Sequence, residues 1–102
     1  METRPAVLLL MTNDLQREVV RRHLMDMEVV PIAVRADRAL NAIEEFRPIT
    51  VVLDEAHAAM APDDFLESTC SHHVRLLTWP DFPPAHGVGD SMLRDAVMPP
   101  PL

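Results

Sequence analysis

The sequence predicts a single α/β domain, a parallel sheet of four to five strands with helices on both faces. Three observations carry this. Ile49-Thr50-Val51-Val52-Leu53 runs straight into Asp54, and a short continuous apolar run reads as a strand buried on both faces, as in parallel sheets. Ala6-Val7-Leu8-Leu9-Leu10-Met11 is a second such run. Such runs alternate with stretches of helical spacing, in the order β-α-β-α-β-α-β, a loop, and a last helix. That alternation implies right-handed crossovers. The 102 residues suffice for one core.

The elements follow in order. After the first strand, Asn13 is placed to cap a helix, with Gln16 completing a capping box. The helix runs from about Asp14 to Asp26 or Met27. Leu15, Val19, Val20, Leu24 and Met27 form its expected buried side, and Glu18 faces Arg21 and Arg22 on the exposed side. Val29 to Val34 is a strand, and Pro31 within it cannot donate a ladder hydrogen bond, which sends that strand to a sheet edge. Asp37 is the expected cap of the next helix, with Ala39, Leu40, Ile43 and Phe46 as its apolar stripe. Pro48 stops it at Arg47. Ile49 to Asp54 is the third strand, and the alanine-rich Glu55 to Asp63 is expected as a loop. Pro62, Asp63 and Asp64 start a short helix over Phe65 to Cys70. Val74 to Trp79 is the fourth strand, ended by Pro80. Asp81 to Gly89 reads as irregular, and Asp90 is the expected cap of a helix from Ser91 to about Met98. Pro99-Pro100-Pro101-Leu102 reads as a tail.

Composition narrows the function. A net charge of −7 argues against a nucleic-acid partner, because phosphate affinity rests on cationic contacts. All nine basic residues are arginine, so no lysine-dependent mechanism operates here. The only two glycines, Gly87 and Gly89, come late, which excludes a glycine-rich phosphate loop in the first 86 residues. No apolar run approaches a membrane span, and Met1-Glu2-Thr3-Arg4-Pro5 does not read as a secretory signal. One cysteine, Cys70, excludes an internal disulfide and suits a reducing cytoplasm, the expected location.

Asp54 is the first candidate for chemistry, since ligands gather at the carboxyl ends of strands in open α/β sheets. Three rival patterns are weaker. Asp54-Glu55-Ala56-His57 spells the box of DEAH-type helicases, but those enzymes need a phosphate loop with its lysine, and this chain has neither. Cys70, His72 and His73 with His57 or His86 match no closed zinc pattern, so no metal is expected. Cys70 has no evident base to make it a nucleophile.

Taken in sequence, Val7-Leu8-Leu9-Leu10, Arg17-Glu18-Val19-Val20-Arg21-Arg22-His23-Leu24, Val29-Val30, Ala39-Leu40 and Arg47-Pro48-Ile49-Thr50-Val51-Val52-Leu53-Asp54 resemble the receiver domain of bacterial response regulators, over roughly residues 6 to 79. The resemblance implies a flavodoxin-like sheet of strand order 2-1-3-4, with room for a fifth. It implies that Asp54 stands at the phosphoacceptor position and Thr78 at the position of the phosphate-sensing threonine. The family's two magnesium-holding acids fall on Met11 and Thr12, or in a shifted register on Asn13 and Asp14; Met11 and Thr12 do not suit a hard cation. The family's fifth-strand lysine has no counterpart, and the 23 residues after Trp79 (80 to 102) are too few for its usual helix, strand and helix. Phosphoryl transfer needs metal and cationic charge around the oxygens. The expectation is therefore an atypical receiver-like domain that works through a protein partner in signalling, without cofactor or enzymatic activity. The alternatives are a working phosphoacceptor at Asp54 using magnesium, and a small enzyme or nucleotide binder at the strand ends, for which only Arg35, Arg75 or Arg94 could supply cations.

The shortened end raises one more expectation. Trp79, Phe82, Val88, Met92, Leu93, Ala96 and Val97 are apolar material near an open fourth strand. If they do not fold back, a two-fold homodimer closes that surface.

Overall fold

The computed structural model describes residues 4–80 and 88–97. Four parallel strands, β1 (Ala6–Leu10), β2 (Val30–Ala33), β3 (Thr50–Asp54) and β4 (Arg75–Trp79), lie in the order β2-β1-β3-β4. The fold is flavodoxin-like, and the expected class and strand order are observed. Pro31 sits in an edge strand paired only with β1, where its missing N–H costs no ladder bond.

The helices divide between the two faces. Val7, Leu9, Met11, Val52 and Trp79 point to one face and pack with Val20 and Leu24 of α1 (Asp14–Met25) and Leu93 of α5 (Val88–Val97). Leu8, Leu10, Val51 and Leu53 point to the other, beneath Ala39, Ala42 and Ile43 of α2 (Ala39–Phe46) and Phe65 of α4 (Asp63–Ser71). Every central-strand side chain from Val7 to Leu10 and from Val51 to Leu53 is buried, as the two continuous apolar runs require.

Several local expectations change. Asn13 does cap α1, its Oδ1 accepting from the amides of Leu15 and Gln16. Gln16 is not its capping-box partner: Gln16 Oε1 accepts from Trp79 Nε1 at 3.0 Å instead. The buried side of α1 is therefore Val20 and Leu24, with half-buried Gln16 one turn earlier, and Leu15 on the adjacent flank is 80% exposed, with Val19 also exposed. Glu18 pairs with Arg21 and Arg22 as expected, and the Arg21 guanidinium holds its carboxyl down to about 2. Asp37 does not cap α2. It lies inside a 3-10 turn, Ala36–Arg38, paired with Arg35 at 3.0 Å. Leu40 and Phe46 stand exposed on the flank of α2.

The stretch after β3 is not all loop. Glu55–Ala59 forms a short helix, α3, because Asp54 caps it and three alanines favour it. α5 begins at Val88, so Asp90 lies in its first turn and not at its cap. Leu93 is fully buried and Trp79 is 1% exposed, both in the core between α1, α5 and the sheet. The end of the fold thus closes on itself at these two positions. Met92 and Val97 are half-buried, and Phe82, with His86, lies outside the described residues.

The return from helix to strand is also informative. Glu28, Arg47 and His73 adopt positive φ of 59°, 48° and 56° after α1, α2 and α4. A left-handed residue is the common way to end a helix, and glycine is the residue that takes it without strain. This chain has no glycine before residue 87, so three ordinary side chains take that role.

At the opposite end from Asp54, the carboxyl end of α5 is clamped to the sheet. Thr50 Oγ1, fully buried, donates to the Ala96 carbonyl at 2.6 Å, and Arg75 Nη1 donates to the Asp95 and Ala96 carbonyls. A cation and a hydroxyl there satisfy carbonyls that a helix end leaves without partners.

Candidate functional site

Asp54 ends β3 at the carboxyl edge of the sheet, beside the end of β1. Its side chain is 13% exposed and both oxygens are engaged. Oδ2 accepts the Thr12 backbone N–H at 2.8 Å, and Oδ1 accepts the His57 backbone N–H at 2.8 Å. His57 Nδ1 lies 2.7 Å from the same Oδ1. Asp54 is thus a helix cap and a cross-strand tie together: it starts α3 and pins the segment after β1 to the end of β3.

Burial works to raise the Asp54 carboxyl. The amides of Thr12 and His57 and then the His57 ring outweigh it and hold the group below its ordinary value. An ionised Oδ1 can only accept, so His57 Nδ1 carries the proton of that contact. Because the folded value lies below the unfolded value near 3.9, Asp54 contributes stability that is fully present above about pH 4 and is lost as pH falls through the lowered folded value. Unfolding free energy should drop more steeply below about pH 4 in the wild type than in Asp54→Asn, which carries no charge to lose. Matching acid profiles for the two proteins would contradict the assignment.

The other expected site residues fall around this centre unevenly. Met11 is a core side chain and Thr12 offers Asp54 its backbone N–H. Asn13 is spent on capping, and Asp14 pairs with Arg17, whose Nη1 also donates to the Met11 carbonyl at 3.1 Å. Neither register thus places an acidic pair beside Asp54. Thr78 is exposed and lies opposite Leu53 in the ladder; the residue opposite Asp54 is Trp79. Arg75 is at the far end of the strand, turned to α5, and Arg35 is held by Asp37.

Cys70 is exposed, His73 is exposed in its left-handed turn, and His72 Nδ1 lies 2.9 Å from the Ser68 carbonyl oxygen. Among the described residues, no group of three His, Cys, Asp or Glu side chains could hold a metal ion. Among them, too, no helix is long and apolar enough to cross a membrane. His57 is the residue that the sequence reading used only in rival motifs. The signal lies in Asp54 alone: an aspartate is a favoured N-cap, and the residue three positions on supplies the amide that it accepts.

Comparison with family models, curated proteins and solved structures returned no match.

Proposed function

We propose that this chain is an atypical receiver-like regulatory domain that works by contact with a protein partner and not by phosphoryl transfer. The observation that carries this reading is the state of Asp54. A phosphoacceptor needs a carboxylate oxygen open to attack, with metal and cations to take up the developing charge. Here both oxygens already accept hydrogen bonds from the protein, and the donors are two backbone amides and an imidazole. The flavodoxin-like fold and the strand-end position of Asp54 support the kinship, and the tie to Thr12 and His57 supports the loss of phosphoryl chemistry. A reducing cytoplasm suits the exposed thiol of Cys70.

The test is intact-mass measurement after incubation with acetyl phosphate and magnesium. The expected result is no added phosphoryl group, and capture of the same partner protein with and without that treatment. A phosphoryl adduct present in the wild type and missing in Asp54→Asn would overturn the reading in favour of a working phosphoacceptor.

A further inference from the structure

A cavity of about 560 Å³ opens between the ends of β1 and β3, the turn before α2, and the segment from α3 to the start of α4. Its volume falls within the range of small-molecule sites, and it lies at the carboxyl ends of the two central strands, where the connections diverge to opposite faces. The floor is core: Leu10, Leu53 and Phe65 are buried. Part of the wall is apolar and uncovered, with Met60 82% exposed and Leu40 exposed in the first turn of α2. An uncovered methionine against an apolar hollow is adaptable material for a ligand to bury.

Carboxylates outnumber basic side chains in the lining by two to one. Asp37 and Asp64 are carboxylates, and the His57 ring and Thr12 are the other polar side chains of the wall. Arg35 occupies Asp37 Oδ2, and the Phe65 amide occupies Asp64 Oδ1. Asp37 Oδ1 and Asp64 Oδ2 have no such partner among the described residues. No arginine lines the cavity, and Arg35 reaches it only through its pair with Asp37, so an anionic group entering it would meet two carboxylates with no arginine in the wall to offset them. Phosphates and nucleotides are thereby disfavoured.

We infer that this cavity binds a small cationic amphiphile, an apolar body seated on Leu53 and Phe65 with an ammonium group at the rim formed by Asp37 and Asp64. The inference is independent of whether Asp54 takes a phosphoryl group.

A matched pair of probes tests it: 2-naphthylethylamine and 2-naphthylacetate share a ring system and differ in charge. Titration is followed by amide chemical shifts. The amine should move the amides of Leu53, Ala56, Met60 and Phe65 and bind at least about tenfold more tightly than the acetate, a gap of about 1.4 kcal/mol. The double substitution Asp37→Asn with Asp64→Asn should bring the two probes within about twofold of each other. Ala56→Trp, at an exposed position on α3, should fill the cavity and abolish the shifts while the rest of the spectrum is kept; Leu40→Trp serves the same purpose from the other wall. No saturable binding of the amine, equal binding of the acetate, or shifts confined to α1 and α5 would overturn the inference. So would amine binding that survives both tryptophan substitutions in folded protein.

Discussion

Leu93→Asp is expected to unfold the domain. Leu93 is fully buried in the cluster that joins α5 to Val20, Leu24 and Trp79. A carboxylate at that position would be buried without a partner, at a cost of several kcal/mol beyond the lost apolar burial. Domains of this kind have only about 5–15 kcal/mol in hand. Circular dichroism should show loss of the cooperative thermal transition. A variant with a wild-type melting curve would mean that Leu93 faces outward and would restore the apolar surface on which a two-fold pair could form.

Trp79→Ala is the second large effect, with an expected loss of about 3–5 kcal/mol in denaturant unfolding. The indole is the largest fully buried side chain, and it lies under α1 and α5 at the end of the edge strand β4. Its Nε1–H also ties β4 to Gln16 of α1. Trp79→Phe separates the two contributions: it keeps most of the apolar contact and should cost far less, roughly the 1 kcal/mol of one hydrogen bond plus a small void. A Trp79→Ala protein within about 0.5 kcal/mol of wild type would show that α5 does not close the sheet; ordinary surface substitutions fall in that range.

Most of the frame was legible in the residues. Two continuous apolar runs marked the central strands, and one proline marked the edge. These signals survive because a strand buried on both faces admits a polar residue only where it finds a partner, as Thr50 does at the Ala96 carbonyl. The helix flanks were less legible. Leu15, Val19, Leu40 and Phe46 fit an apolar stripe by spacing, yet all four are exposed, because each helix meets the sheet along a narrow line and spacing alone does not say which flank touches. The left-handed returns at Glu28, Arg47 and His73 carried no glycine to announce them. The stretch after Asp54 is too short for a helical period to show, and what makes it a helix is the capping bond from Asp54 to His57 acting on alanines that favour one. Thr78 matched a family position by spacing, and the ladder instead sets Trp79 opposite Asp54. The cavity was invisible in the sequence, since it is made by residues from Leu10 to Phe65 that no local pattern unites.

The central claim is that Asp54 is committed to holding the fold, as the tie between Thr12 after β1 and His57 in α3. The direct measurement is the denaturant stability of Asp54→Ala at neutral pH. Removing the carboxylate deletes a helix cap and leaves the Thr12 and His57 amides without their acceptor, and each loss is worth about 1–2 kcal/mol. The expected outcome is a loss of about 2–4 kcal/mol with an unchanged denaturant slope. A variant as stable as wild type, or more stable, would contradict the claim, because a carboxylate that the fold does not need is one kept free for chemistry.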